Sequence, residues 1–338
     1  MILAGDIGGT STRLAAFDET KANLVPECIE IYKSSEHATL EELIALFLKK
    51  QQFTITAVCI GFAGPIKNGR AVGTNLPWVI SANDLQARFG LRHAAIINDL
   101  EANAYGIATL APQDFYTLNT GEKDDQGNAG LISAGTGLGE AGMIWDGSTL
   151  LPFASEGGHA DFAPKSEIEI ELLRYLQVLY KKVSWERVVS GMGLVDMYSF
   201  LRDTGRGSDP EELANEIMAG GGAAISHAAL QGKSELCDLT LNMFVSLYGA
   251  EAGNLALKLL ATGGMYLGGG IAPKIIERLK TGLFFEGFIS KGRFEKLLRS
   301  IPVHVILNDK TALLGAARYA RMKSKAADAK EQTAGITI

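Results

Sequence analysis

The sequence predicts an α/β protein of two domains with a ligand site in the cleft between them. Its 338 residues are enough for two domains, since a domain usually comprises about 100–200 residues. The first part alternates apolar strands with helices, which is typical of a mostly parallel sheet flanked by helices. An apolar strand, a Gly-Thr turn and a second apolar strand occur twice, around Thr10 and Thr136, so we interpret the chain as a domain-scale duplication. Ligands commonly bind between domains.

The first of these turns lies in "ILAGDIGGTSTRLAAF", residues 2–17. Gly8 and Gly9 permit a tight turn between two strands. No helix follows, and no Gly-Lys-Ser/Thr is present, which excludes both a P-loop and a dinucleotide fingerprint. The bare backbone N–H groups of such a hairpin, with the Thr10 hydroxyl, can bind phosphate. The alternative is a plain hairpin that leaves Asp6 exposed.

The rest of the N-terminal domain, expected over residues 1–110, continues the alternation. "LVPECIEIY" predicts a third strand, and "TLEELIALFLKKQ" predicts a helix with Thr39 as its N-cap. The strand "ITAVCIGFAG", a helix from Ser81 to about Phe89, the strand "HAAIIN" and the helix "DLEANAYGIATL" follow.

The second domain, expected over residues 111–322, begins with the second copy of the pattern, "AGLISAGTGLGEAGMIW". A strand after the glycines again disfavours a dinucleotide turn and leaves Gly135 and Thr136 as phosphate-binding candidates. The chain is then mainly helical before the strands "MYLGGGI" and "PVHVIL". We expect the last helix to be able to pack back on the N-terminal domain, and residues 323–338 to form a frayed tail.

Asn98 and Asp99 stand where a buried strand becomes a helix. Both residue types are common N-caps, which is one interpretation. The other is catalytic: Asp99 would be a general base and Asn98 would orient a hydroxyl substrate, because catalytic residues often lie at the carboxyl ends of strands.

The segment "ASEGGHADF" contains Glu156, His159 and Asp161. A metal site is conceivable, but the two glycines exclude the helical HExxH geometry. Carboxylates and imidazole suit the adjacent hydroxyls of a polyol better, since a carboxylate accepts two hydrogen bonds. The alternatives are a solvated loop here and, for Glu186 in "VSWERVVSG", an ordinary helix glutamate.

The segment "MYLGGGIAPKIIERL" has three glycines, Gly268, Gly269 and Gly270, between a strand and a helix, with Pro273 at a plausible first helical position. It is either a strand-to-helix turn or a flat surface beneath a nucleotide.

Composition excludes several other classes. The net charge of −6, with no basic run before the C-terminal tail, argues against a nucleic-acid surface. The apolar stretches are too short to span a bilayer, and the N-terminus has no signal-peptide pattern. Cys28, Cys59 and Cys237 have no metal-binding spacing and indicate reduced thiols in a cytoplasmic protein.

Together, these segments resemble the sugar kinases of the actin, hexokinase and heat-shock ATPase superfamily, and within it the bacterial ATP-dependent glucokinases. The resemblance covers nearly the whole chain. "DIGGTSTRL" and "SAGTGLG" are similar to the two phosphate motifs, "INDLEANAYG" to the catalytic segment, "SEGGHADF" and "SWERVVSG" to the sugar-binding segments, and "LGGGIAPK" to the adenosine motif. The implied fold is the two-domain ribonuclease H-like, actin/hexokinase-type ATPase fold.

The resemblance also implies residue roles. Asp99 would be the base for the sugar 6-hydroxyl, and four residues would hold the other hydroxyls: Asn98, Glu156, His159 and Glu186. Asp6 would face Mg²⁺ through water. Phosphate and adenosine contacts would come from two sets of turn residues: Gly8, Gly9, Thr10, Gly135 and Thr136 for phosphate, and Gly268, Gly269 and Gly270 for adenosine.

The implied activity is ATP-dependent phosphorylation of glucose, with glucose and Mg²⁺–ATP as small-molecule partners. The related repressor–kinase group usually carries a cysteine-rich zinc motif near its sugar-binding histidine. No cysteine lies near His159, so we expect no structural zinc. Because the first predicted strand starts at residue 2, we also expect no N-terminal DNA-binding domain.

The alternative functions are a kinase for fructose, mannose or an N-acetylated amino sugar, a nucleotide-gated sugar sensor without turnover, and an ATPase that moves a protein partner. We expect a homodimer, the commonest closed assembly.

Overall fold

The computed structural model describes residues 1–64, 66–73 and 76–334, with side chains described through residue 326. Within them the strands are β1 (Ile2–Ile7), β2 (Ser11–Phe17), β3 (Pro26–Lys33), β4 (Ala57–Phe62), β5 (Ile66–Lys67), β6 (Arg70–Val72), β7 (Val79–Ser81), β8 (His93–Asn98), β9 (Phe115–Asn119), β10 (Ala129–Ala134), β11 (Leu138–Trp145), β12 (Leu150–Ser155), β13 (Gly264–Gly268) and β14 (Val303–Ile306). The helices are α1 (Leu40–Gln51), α2 (Ala82–Phe89), α3 (Asp99–Ile107), α4 (Glu167–Leu179), α5 (Gly191–Asp203), α6 (Glu211–Leu230), α7 (Glu235–Leu259), α8 (Ile276–Leu279), α9 (Leu283–Ile289), α10 (Glu295–Ser300) and α11 (Thr311–Ala334).

The chain forms two compact units. One contains Met1–Pro112 together with the C-terminal segment from Asn308, and the other contains Gln113–Leu307. The first boundary lies close to the expected residue 110. The C-terminal segment belongs to the first unit, whereas the sequence placed residues through 322 in the second domain with its last helix able to pack back.

The sheet of the first unit has the order β3-β2-β1-β4-β8. β1 pairs antiparallel with β2 and parallel with β4, which in turn pairs parallel with β8. β4 is buried at every position because the sheet is covered on both faces. One face packs in a core with α1 and α2, and the other with α3 and α11. A small sheet, β5-β6-β7, lies in the same unit.

The sheet of the second unit repeats this topology. Its order is β12-β11-β10-β13-β14-β9, with β10 antiparallel to β11 and parallel to β13. The first five strands match the order and directions of the first sheet, and β9 is an added antiparallel edge. The duplication predicted from the two Gly-Thr turns is therefore confirmed by the strand pairing.

Two helix starts predicted from sequence are confirmed in detail. The Thr39 hydroxyl accepts a hydrogen bond from the Glu42 N–H at the start of α1, and the Ser81 hydroxyl accepts one from the Asp84 N–H at the start of α2. Each hydroxyl satisfies one of the donors that a helix leaves unpaired in its first turn.

The C-terminal helix is longer than predicted. α11 continues to Ala334, where the sequence suggested a frayed segment from residue 323, and residues 335–338 lie outside the described part. Alanine, lysine, glutamate and glutamine dominate this stretch, and all four favour helix. Farther upstream, Ala316, Ala317 and Ala320 are fully buried, and α11 lies against α3, β1 and β4. No helix in the described ranges is long and apolar enough to cross a membrane.

Candidate active site

The carboxyl edge of the first sheet holds the predicted acidic residues of the first unit. Asp6 is the penultimate residue of β1, and Asn98 ends β8, two strands away. Strands lie about 4.8 Å apart, so these two strand ends are separated by roughly 10 Å. Gly61 of β4 lies between them, paired with Asp6, and a side chain there would press against Ala102 of α3. The structure therefore brings Asp6, Asn98 and Asp99 to one edge.

Asp6 is only partly accessible. Burial raises the pKa of Asp6, and the charge of Arg13, its partner in the β1–β2 register, opposes that rise. In the adjoining turn, the Gly8 N–H donates to the Ser11 carbonyl at 3.0 Å. The other two turn residues, Gly9 and Thr10, are exposed. The turn therefore presents polar groups beside a carboxyl group whose charged form is disfavoured by burial.

Asn98 caps α3. Its Oδ1 accepts hydrogen bonds from the N–H groups of Leu100, at 2.9 Å, and Glu101, at 3.3 Å. Asp99 occupies the first helical position, and its Oδ1 also accepts from Leu100 N–H, at 2.9 Å. The capping interpretation is therefore confirmed for Asn98, whose amide nitrogen takes no part in the cap. Asp99 also contacts a first-turn N–H, so the capping and the catalytic interpretations both stay open for this residue.

In the second unit the structure brings Glu156, His159 and Glu186 together. His159 lies between the two carboxylates, with Nε2 3.9 Å from Glu156 Oε2 and Nδ1 3.8 Å from Glu186 Oε1. The side chains of Glu156 and His159 are 69% and 60% exposed, while that of Glu186 is 21% exposed. This arrangement offers several acceptors and a donor to one polyhydroxylated ligand.

Backbone pairing explains how Glu186 reaches a residue 27 positions earlier in the chain. A 3₁₀ turn at Gly157–His159 follows β12, and another spans Trp185–Arg187. The Trp185 N–H donates to the Ala160 carbonyl at 3.0 Å, and the buried Trp185 ring packs edge-on against Phe162. Glu186 is therefore in a 3₁₀ turn rather than in the ordinary helix that was the alternative interpretation.

Glu186 also contacts the second Gly-Thr turn. Its Oε2 accepts a hydrogen bond from the Leu138 N–H at 3.1 Å. A Cβ at Gly137 would overlap this same oxygen, so glycine at 137 leaves the space that the carboxylate occupies. Gly137 was missed as a site residue in the sequence, although it lies inside the quoted "GTGLG". One side chain thus connects the candidate sugar residues to the candidate phosphate turn.

A cavity of about 810 Å³ lies within the second unit. Gly135 and Thr136 line it, as does Gly270, so three predicted residues meet there. Gly268 and Gly269 do not line it; Gly268 ends β13, and Gly269 follows with φ +79°. The other walls come from α5, α6 and the segment after Gly270, and their lining residues are Gly191, Met192, Leu194, Val195, Gly221, Gly222, Ala223, Ser226, His227, Leu230, Ile271, Lys274 and Ile275.

The α6 wall was not predicted, although the sequence contains a signal for it. "MAGGGAAISH" has three consecutive glycines inside a helical stretch. Gly221 adopts φ 61° and ψ −149°, which interrupts the helix, and a Cβ at Gly222 would approach the Gly191 carbonyl to 2.5 Å. The glycine run therefore kinks α6 and lets it approach α5 closely at the cavity.

Asp161, the remaining acid of the "SEGGHADF" segment, forms an ion pair with Lys182, with Oδ1 and Nζ 3.4 Å apart. Across the described ranges, no group of three or more histidine, cysteine, aspartate or glutamate side chains could hold a metal ion. The metal-centre interpretation of this segment thus gains no support from the geometry.

Comparison with known proteins places these features in a family. The family model described as Glucokinase matches residues 3–323. A glucokinase of Nostoc punctiforme is 42% identical, over 94% of this chain and 98% of its own.

Solved structures agree. A glucokinase from an Antarctic psychrotroph has a TM-score of 0.83 at 32% identity, covering 94% of this chain and 98% of that one. A ROK-family glucokinase from Streptomyces griseus, in complex with glucose and AMPPNP, has a TM-score of 0.62 at 21% identity, covering 95% and 99%. The fold is that of the actin/hexokinase-type sugar kinases, as the resemblance implied.

Proposed function

The chain belongs to the glucokinase family, and we infer from this that it transfers the γ-phosphoryl group of ATP to the 6-hydroxyl of glucose, giving glucose 6-phosphate and ADP. One feature of the site best supports a sugar substrate: His159 lies between the carboxylates of Glu156 and Glu186. The protein is an ATP-dependent hexose phosphotransferase rather than a sensor or a protein-moving ATPase.

We assign the sugar hydroxyls away from the reacting one to these three side chains and to the amide of Asn98. Glu156 and His159 share one short turn and would read neighbouring hydroxyls. Glu186 comes from a separate segment and would hold another side of the ring. Because Glu186 also accepts from Leu138 N–H, sugar bound there would be fixed relative to the Gly135–Thr136 turn.

Asp99 is our candidate for the general base. It would accept the proton of the sugar 6-hydroxyl as that oxygen attacks phosphorus and the bond to the leaving ADP oxygen breaks. Its position in the first turn of α3 favours a negative charge, since the N-terminus of a helix carries a partial positive charge. Phosphoryl transfer has a loose transition state, so positioning matters most and a weak base suffices when the proton leaves late.

The nucleotide would occupy the cavity of the second unit. Its volume of about 810 Å³ lies within the range of small-molecule and cofactor sites. The Gly135–Thr136 turn would bind phosphate through backbone N–H groups and a hydroxyl, and Gly270 would lie near the adenosine. Gly8, Gly9 and Thr10 would contact phosphate from the first unit, where the exposed turn leaves polar groups accessible.

Asp6 is the residue that would hold Mg²⁺, through water. A divalent cation would offset the cost that burial imposes on its negative charge, so the side chain fits such an ion. Mg²⁺ keeps several waters and is commonly bound by one or two carboxylates with substrate phosphates, which agrees with the lack of a multi-residue metal cluster among the described side chains. When bound, Mg²⁺ would neutralise phosphate charge.

A homodimeric state and a cytoplasmic location stay predictions.

The nucleotide assignment predicts that calorimetry will detect binding of Mg²⁺–ATP, and that NAD will not bind. Replacing Gly222 with valine is expected to weaken ATP binding while leaving glucose binding unchanged, because the added side chain would press on the Gly191 backbone at the cavity wall. Binding of NAD without ATP would contradict the proposal.

A further inference from the structure

Two glutamates of the second unit, Glu140 of β11 and Glu251 of α7, are fully buried, with exposures of 1% and 0%. The charge of Glu251 disfavours a second negative charge on Glu140. Burial, and next the charge of Glu251, raise the pKa of Glu140 to about 8.

The surroundings indicate which glutamate carries the proton. Glu251 Oε2 accepts from Asn254 Nδ2 at 2.7 Å, and its Oε1 lies 3.5 Å from Lys258 Nζ. Lys291 Nζ donates to Asn254 Oδ1 at 2.6 Å, which adds a further positive charge to the cluster. Glu140 Oε1 has no partner among the N–H and O–H donors of the described side chains and backbone. Burial raises the pKa of Glu251 as well, but Asn254 and Lys258 oppose that rise. Because Glu251 has these donors and Glu140 Oε1 has none, the negative charge is favoured on Glu251 and Glu140 is the neutral acid.

Other charges face this cluster without altering that assignment. Burial lowers the pKa of Lys291 to about 8, with smaller effects from Lys165, Lys258 and the acids Glu251 and Glu169. Among the described residues, Lys258 is the lysine within ion-pair distance of Glu251, and Lys291 reaches the pair through Asn254.

Glu140 also lies directly beneath the turn that carries the sugar residues. It is opposite Ser155 in the β11–β12 register, and the Ser155 hydroxyl accepts from Gly157 N–H at 3.0 Å. A Cβ on Gly157 would overlap Glu140 Oε2. Gly157 is the neighbour of Glu156 and begins the turn that ends at His159, so the Glu140 carboxyl group sets how closely this turn approaches β11.

We propose that Glu140, buried as a neutral acid against Gly157, is a positioning residue for glucose binding that supports the turn bearing Glu156 and His159. This rests on the sugar site proposed above. A neutral group fits the role because an additional negative charge here would repel Glu156 and Glu186 and would compete with them for His159.

Steady-state kinetics of two Glu140 variants test the neutral role. Glu140→Gln keeps the shape and a neutral donor toward Glu251, so its KM for glucose is expected to stay within about threefold of the wild-type value. Glu140→Ala removes the support for the turn, so its KM for glucose is expected to rise about tenfold, with the KM for ATP unchanged. Equal impairment by glutamine and alanine, or equal changes in both KM values, would overturn the proposal.

A double-mutant cycle tests the contact itself. Gly157→Ala alone is expected to raise the KM for glucose about tenfold, because its methyl group takes the position of Glu140 Oε2. Adding Glu140→Ala vacates that position, so the double variant is expected to bind glucose better than Gly157→Ala alone. Adding Glu140→Gln, which keeps the volume, is expected to give no such recovery. Additive effects of the two alanine substitutions would refute the contact.

Two further measurements keep the test decisive. If thermal unfolding shows that Glu140→Ala does not fold, Glu251→Gln is measured in its place. This variant removes the charge beside Glu140 and is expected to raise the KM for glucose but not the KM for ATP. An unchanged KM for glucose would overturn the proposal. Glu156→Ala serves as the reference for the site. A raised KM in Glu156→Ala with an unchanged KM in Glu140→Ala would refute only the positioning role, whereas an unchanged KM in Glu156→Ala would refute the sugar site.

Discussion

Asp99→Asn is expected to bind glucose with nearly unchanged affinity and to lose about 10²–10⁴-fold in kcat, the usual range for a positioned general base. Asparagine has the same shape and is tolerated in the first turn of a helix, so α3 should still form. Its amide cannot accept the hydroxyl proton during transfer. Binding measured by calorimetry and turnover measured by coupled ADP release would separate the two effects.

Glu101→Gln is the matched control, because it removes a negative charge from the same helical turn, two positions further along. Glu101 is partly buried, and burial raises its pKa. A role for Asp99 in proton transfer predicts near-normal kcat in Glu101→Gln. A near-normal kcat in Asp99→Asn, or equal losses in the two variants, would show that Asp99 contributes only charge or structure at the helix start.

Glucose is expected to be preferred over N-acetylglucosamine and fructose, and Glu156→Ala is expected to raise the KM for glucose by roughly 10–100-fold while leaving the KM for ATP almost unchanged. One hydrogen bond to a charged group contributes about 1.5–3 kcal/mol, which corresponds to this range. A site that pairs its polar groups with a particular set of hydroxyls can reject analogues that leave them unpaired by about 10⁴–10⁵-fold.

Asp161→Ala provides a control on the same segment. Its side chain is 81% exposed and paired with Lys182, so its removal is expected to leave both KM values unchanged. The sugar assignment would be contradicted by a Glu156→Ala enzyme whose ATP dependence has changed instead of its glucose dependence.

Local signals in the sequence were sufficient for much of the fold. Thr39 is a helix cap as predicted, and the helix predicted to start at Ser81 begins one residue later with Ser81 as its cap, because helix starts depend on a few adjacent residues. The two Gly-Thr turns revealed the duplicated strand pattern, because each turn and its strands are contiguous in the chain. The same locality explains why Asn98 and Asp99 were placed correctly at a strand end before a helix.

Features that depend on contacts between distant segments were not predictable in this way. Glu140 looks like an ordinary strand residue until Glu251, more than a hundred positions later, is placed against it. Gly137 appears to serve only a turn until Glu186 fills the space beside it. The cavity walls of α5 and α6 were missed because helical periodicity reports which face of a helix is apolar, not what that face encloses.

The C-terminal helix illustrates a different limit. Its polar, small-residue composition was interpreted as a frayed tail, yet the same residues have high helix propensity. Burial of Ala316 and Ala320 in the first unit ties the preceding turns to the core, and the helix continues from there. Composition alone did not distinguish a disordered tail from the end of an anchored helix.

The most direct test of the central claim is coupled ADP release measured with Mg²⁺–ATP across a panel of glucose, mannose, fructose, N-acetylglucosamine and N-acetylmannosamine, together with a reaction lacking sugar. We expect the highest kcat/KM for glucose, with far lower values for the amino sugars and fructose and negligible ADP release without sugar. A kcat/KM for N-acetylglucosamine comparable to that for glucose would contradict it.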